Sequence, residues 1–161
     1  MSTRKTANQY SVGSIIAIPL SSHGYAYACV FNDWTLGIYD YITPAVESAE
    51  ALVRRKISFY VGSSDRAIKS GAWPVIGSHP FTSPDEAWAP PHATCYVRET
   101  NEWTMGGVPR VDHKGATRIA TQEEVAGLDI MTVCPRPEAV VRMVVDRLIN
   151  GNHAQYKVRS P

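Results

Sequence analysis

Residues 10–31 restrict the fold of this chain more than any other segment. Ile15, Ile16, Ala17, Ile18 and Leu20 make a short apolar run, residues 21–24 are turn-forming, and residues 25–31 are a second β-rich run. Two such runs joined by a turn predict a β-hairpin. Asn32-Asp33 is the next turn, and residues 34–41 (W-T-L-G-I-Y-D-Y) are a third strand. Three short strands with tight connections form a meander, which buries one face and tends to curl.

Helical spacing then takes over. Pro44 opens a helix, since proline is tolerated in the first turn, and residues 45–55 place Val46, Ala49, Leu52 and Val53 on one face. Residues 56–61 alternate Ile57, Phe59 and Val61 with polar neighbours, which predicts a half-buried strand. Residues 65–70 are a turn or a single helical turn broken by Gly71, and residues 73–76 are extended. Residues 79–91 hold Pro80, Pro84, Pro90 and Pro91 without periodicity, as a long surface loop does.

A second hairpin is expected from residues 94–99 and 103–105 around Thr100-Asn101, with further turns at Gly106-Gly107 and residues 112–115. Thr121 and Glu124 form a capping box for a short helix that Gly127 stops. Residues 128–133 read as a buried strand. Pro135 and Pro137 announce a last helix, in which Val140, Val141, Val144, Val145, Leu148 and Ile149 share one face until Asn150-Gly151. The expected fold is a single α+β domain: an antiparallel β-rich sheet or partly open barrel, with two or three helices including a C-terminal amphipathic helix. Residues 1–9 are expected to be a disordered N-terminal segment, 10–152 the domain and 153–161 a C-terminal tail.

Composition narrows function by exclusion. With 44% hydrophobic and 19% charged residues, the chain has a globular rather than a disordered balance. Sixteen basic against fifteen acidic residues leave a formal net charge of +1. A nucleic-acid binder shows a basic excess and a nucleic-acid mimic an acidic one, and neither is present. Cys29, Cys95 and Cys134 are odd in number and widely spaced, unlike a disulfide scaffold or zinc ribbon. The N-terminus lacks an apolar core of signal-peptide length, and no apolar run is long enough to span a bilayer. A cytoplasmic protein without a membrane association is expected.

Chemistry-bearing residues are sparse. His79, His92 and Cys95 offer one H-x-x-C spacing but no second close pair, short of the four ligands of structural zinc. No cysteine lies in a catalytic signature, and phosphate-cradling, dinucleotide and nucleophile-elbow motifs are absent. Asp112-His113 resembles an acid–base pair, but Lys114-Gly115 beside it favours a solvated turn. Arg54, Arg55 and Lys56 are a basic cluster that suits the C-terminal end of a helix. No catalytic residue, metal or cofactor is therefore expected. Asp85, Glu86 and Trp88 in the proline-rich loop, and Glu99, Glu102 and Trp103 around the second hairpin, are the residues best suited to a binder. Prolines restrict a loop before docking, and tryptophan is a favoured interface anchor.

Several pieces, in order and spacing, resemble the immunity protein 26 family of bacterial polymorphic toxin systems. They are V-G-S-I-I-A-I-P-L (residues 12–20), G-Y-A-Y (24–27), I-Y-D (38–40), W-P-V-I-G (73–77) and E-E-V-A-G-L-D (123–129). The resemblance runs from about Tyr10 to about Asn152. Ser14 stands where the family often has an acidic residue, and residues 106–115 are longer than its pattern. The resemblance implies a stoichiometric antitoxin that binds the toxic C-terminal domain encoded by a neighbouring gene, as a monomer in a 1:1 complex. Gly13, Pro19, Gly24, Trp73, Pro74 and Gly77 read as fold determinants. The expected toxin contacts are Asp85, Glu86, Trp88, Glu99, Glu102 and Trp103. The alternative is a small cytosolic β-rich domain that binds nucleic acid or a host protein.

Overall fold

The apolar run of residues 14–20 is buried on both of its faces. In the computed structural model, which describes residues 9–160, Ile15, Ile16, Ala17 and Ile18 are all 0% exposed. They lie in β1 (Ser14–Pro19), which pairs antiparallel with β2 (Tyr25–Val30) from Ile15 opposite Cys29 to Pro19 opposite Tyr25. A 3-10 turn at Ser21–His23 joins them and closes on Gly24 at φ 86°. A side chain there would collide with the Thr43 carbonyl. β3 (Thr35–Thr43) pairs with β2, and β4 (Ile57–Ser63) pairs with β3. β5 (Val75–Ser78) adds to the other edge of β1, so the meander becomes the middle of a larger open sheet.

Burial on both faces corrects the one-sided meander expected from the sequence. Ile16, Ile18, Leu36, Ile38, Phe59 and Val61 point into one core with Trp73. Ile15, Ala17, Tyr27, Cys29, Phe31 and Tyr39 point into a second, covered by Leu52. The alternation read across Ile57, Phe59 and Val61 also breaks. Ile38 pairs with Phe59 but Tyr39 pairs with Ile57, so the register shifts at Ser58 and Ile57 packs on the opposite face.

The helix expected over residues 45–55 is only one turn, α1 (Ala49–Leu52). Side-chain hydrogen bonds tie down the preceding backbone. The buried Tyr27 hydroxyl accepts the Glu47 N–H at 2.8 Å, and the Thr43 hydroxyl donates to the Ala45 carbonyl at 2.6 Å. These bonds satisfy peptide groups that a longer helix would use. α2 (Arg66–Ser70) ends at Gly71, which is left-handed at φ 80°.

A smaller second unit carries its own apolar cluster. β6 (His92–Ala93), β9 (Arg110–His113) and β10 (Ala116–Ile119) form a three-stranded sheet, and β7 (Tyr96–Val97) pairs with β8 (Glu102–Trp103). The turn expected over residues 112–115 contracts to Lys114 (φ 52°) and Gly115 (φ 75°), the two-residue connection of a β9–β10 hairpin. The capping box is present at α3 (Gln122–Val125), with both reciprocal Thr121–Glu124 bonds. The strand expected over residues 128–133 is split. Ile130 bridges Ala93, Asp129 bridges Lys157, and β11 (Val133–Cys134) pairs parallel with β4, at the edge of a sheet ordered β11-β4-β3-β2-β1-β5.

The last helix, α4 (Pro137–Val144), packs Val140, Met143 and Val144 on the first core. A π turn at Val145–Ile149 follows, closed by the Asn150 N–H on the Val145 carbonyl at 3.1 Å. This wider turn changes the phase of the helix. Ile149, expected on the apolar face, is 40% exposed, while Arg147 is turned inward and 2% exposed. Arg147 stacks 4.3 Å from the Phe59 ring centre and reaches Asp129 Oδ1 at 3.4 Å. Within residues 153–158, Val158 is 4% exposed and donates its N–H to the Leu128 carbonyl. The segment expected to be disordered at residues 1–9 lies, apart from Gln9, outside the described residues. No helix among the described residues is long and apolar enough to cross a membrane.

Candidate functional site

The β2–β3 turn is where the backbone departs most from its preferences. Asp33 (φ 57°) and Trp34 (φ 56°) are consecutive left-handed residues, a conformation that favours Asn-Gly and disfavours a bulky side chain. Neighbouring bonds impose it: Phe31 donates to the Thr35 carbonyl at 2.8 Å, and Ser63 to the Trp34 carbonyl at 2.9 Å. The result presents an indole that is 58% exposed, the most exposed tryptophan-sized surface at this end of the sheet. Tyr10 stands 6.4 Å from it and donates to Asp65 at 2.8 Å. Burial and the Asp65 carboxylate push the Tyr10 phenol up to about 12.

Trp34 forms one wall of an open groove of about 480 Å³ between the end of the large sheet and the β9–β10 hairpin. Trp88, Pro90, Met131, Val133 and Pro135 supply most of the remaining apolar lining. Val133 is 65% exposed, although it belongs to an edge strand. Asp33, Asp112, His113 and Lys114 give the rim both signs of charge. His92 is buried at its inner wall, where desolvation holds its pKa below the ordinary histidine value against the Asp129 and Asp112 carboxylates.

The six contacts expected from the sequence fall into two places. Pro84–Ala87 is a 3-10 turn, and from it Asp85 reaches Lys114 at 2.7 Å, tying the proline-rich loop to the β9–β10 turn. Lys114 holds the Asp85 carboxyl below its usual range. Glu86 is turned back on its own loop, where it accepts from the Thr82 hydroxyl at 2.6 Å and the Thr82 N–H at 2.8 Å. Trp88 is half-buried in the groove wall.

Glu99 and Glu102 are exposed on the β7–β8 hairpin, and Glu99 borders a different recess with Arg98 and Tyr156. Trp103 is only 9% exposed and packs 4.8 Å from Tyr96, so it braces that hairpin from inside. Sequence reasoning missed Trp34 and Val133, having assigned them to the first and last positions of expected strands. The signal available was a tryptophan directly after Asn32-Asp33, at a turn position.

Burial pushes the Cys29 thiol up to about 12 and the Cys134 thiol upward, the reverse of an activated cysteine. His92 is packed edge-on to Tyr60 at 5.9 Å, and Cys95 sits beside the Thr94 hydroxyl at 3.8 Å. Among the described residues no three His, Cys, Asp or Glu side chains are grouped as metal ligands.

No curated protein and no solved structure matches the chain. A family model described as Immunity protein 26 matches residues 11–95. That span is narrower than the one read by resemblance. It carries β1 to β6, the Trp34 turn and Trp88, and it ends before the β7–β8 hairpin. Because the matched residues make up more than half of its length, the chain belongs to the immunity protein 26 family.

Proposed function

We propose that the protein neutralises the toxic C-terminal domain of a polymorphic toxin encoded by a neighbouring gene, by binding it one-to-one and occluding it. It does so in the cytoplasm of the cell that makes both. The observation that carries the placement is the groove beside Trp34. A large indole held in a left-handed conformation, exposed at the edge of an apolar recess, costs folding energy without burying surface in return. Such a feature is worth retaining when a partner covers it, and tryptophan is the residue most enriched among interface hot spots.

The docking surface proposed here joins Trp34 and Val133 to Trp88 and Asp85, with Glu86 beside them. Glu99 and Glu102 extend it only if the toxin also reaches the β7–β8 hairpin, and Trp103 acts by supporting that hairpin. The test is a growth assay in which the toxic domain is expressed with and without this protein, followed by a sizing column. Rescue with a co-eluting complex, weakened at least tenfold by Trp34→Ala with Trp88→Ala, is expected. Rescue without a complex would move the account to an enzymatic antidote, and unchanged affinity in the double variant would move the interface elsewhere.

A further inference from the structure

The face of the large sheet opposite α4 holds a further cavity, of about 290 Å³, that shares Trp88 and Glu86 with the proposed toxin surface but is lined mostly by other residues. Its size is at the small end of the roughly 300–1,000 Å³ range of ligand sites. Its walls are aromatic. Phe31 meets Tyr60 edge-to-face with ring centres 5.2 Å apart, and meets Phe81 at 5.3 Å and 62°. These rings pack on one another, so a ligand meets their cavity-facing edges and faces rather than a gap between them.

The floor is polar and unsatisfied. Tyr39 is 1% exposed, lines the cavity, and its hydroxyl has no hydrogen-bond partner among the described residues. Nδ1 of His79, also in the lining, is buried and likewise unpartnered. Buried polar groups are nearly always paired, so two at one cavity are an exception that asks for a cause. Cys29 lies on the same floor. Burial keeps both the Tyr39 phenol and the Cys29 thiol in their protonated forms, so the floor offers donors. Arg55, its guanidinium 3.9 Å over the Tyr41 ring, and the Glu86 carboxylate also line the cavity, so its lining carries both signs of charge.

We propose that this cavity binds a small planar aromatic molecule bearing a carbonyl or carboxylate oxygen. The ring packs against the cavity-facing sides of Phe31, Tyr60 and Phe81, and the oxygen accepts from the Tyr39 hydroxyl. The cavity shares Trp88 and Glu86 with the proposed toxin surface, but the inference is read on the free protein and stands or fails without any toxin.

The test uses the full chain and four probes of similar size: benzamide, benzoate, toluene and benzyltrimethylammonium, followed by calorimetry and ligand-observed NMR. Benzamide or benzoate is expected to bind at millimolar concentration or tighter. Toluene is expected to bind roughly tenfold more weakly, the worth of one net hydrogen bond. Tyr39→Phe, which gives up only the hydroxyl's approach to the Cys29 thiol, should nearly keep the melting temperature and abolish the preference for the oxygen-bearing probes. Phe81→Ala removes a wall and should weaken all the aromatic probes alike. Absence of binding, equal binding of toluene, an unchanged preference in Tyr39→Phe, or a preference for the ammonium probe would each overturn the proposal.

Discussion

Replacing Gly77 by alanine isolates a single contact between the sheet and α1. Gly77 lies in β5 opposite Ile15 of β1, and its backbone is not in the left-handed region, so a methyl group adds no conformational strain. The new Cβ would overlap the Cβ of Ala49, inside the 3.0 Å that real Cβ contacts respect. The next atom it meets is the Cα of Ala49, at an ordinary 3.8 Å. One methyl on one residue is therefore the entire obstacle. Overpacking of this kind costs about 1–3 kcal/mol, and a one-turn helix can yield, which places Gly77→Ala at about 1–2 kcal/mol. Ala49→Gly alone should cost about 0.5–1 kcal/mol in helix propensity. In the double variant the overlap is gone, so its stability should match that of Ala49→Gly, a coupling of about 1–2 kcal/mol. Denaturant unfolding of the four proteins, with midpoints and slopes compared, reads this directly. Additive losses, or a neutral Gly77→Ala, would refute the packing argument.

Other expectations follow from particular side chains. Trp34→Gly relieves a left-handed residue and should raise stability by about 1 kcal/mol while weakening toxin binding at least tenfold; a destabilised variant would mean the indole is needed for folding. Arg147→Ala, which empties space beside Phe59 and Tyr156, should cost about 2–4 kcal/mol. Arg147→Met should cost less than about 1.5 kcal/mol because Asp129 keeps Lys157 at 3.0 Å, and equal losses in thermal melts would contradict that division. His92 has a depressed pKa in the fold. Below the unfolded value of about 6.5 the unfolded chain binds the proton and the folded chain does not, so stability should fall as pH drops through that point. Melting curves from neutral to mildly acidic pH should show a shallower acid loss in His92→Phe; an unchanged slope would assign the loss to other groups.

Local signals carried much of the fold. The β1–β2 hairpin, the third strand, the Gly71 stop and the Thr121–Glu124 box each depend on a few neighbouring residues, and each is legible as such. What failed was decided at a distance. The helix after Pro44 is cut short by the Tyr27 hydroxyl, twenty residues away on β2, together with the adjacent Thr43 hydroxyl. The β9–β10 hairpin hid behind Lys114-Gly115, because lysine is not a residue that announces a left-handed turn. Parallel pairing of β11 with β4 joins residues some seventy positions apart, and no periodicity records it. Arg147 adjoins the apolar stripe in the sequence, and nothing local records that the π turn brings it inward.

The candidate site was half legible for the same reason. Trp88 and Asp85 were visible as an aromatic and an acid in a proline-rich loop. Their neighbours Trp34 and Val133 belong to runs that read as strands, and only the closing of the groove puts them at one surface. The acid and aromatic residues of the β7–β8 hairpin matched the same pattern, yet they sit against a different recess.

Stoichiometric occlusion is the central claim, and titration of the toxin's activity with increasing amounts of this protein tests it most directly. The account predicts a linear fall that reaches full inhibition at one equivalent, with an endpoint independent of incubation time. Inhibition that deepens with time at a small fraction of an equivalent would contradict it, because only a catalyst turns over.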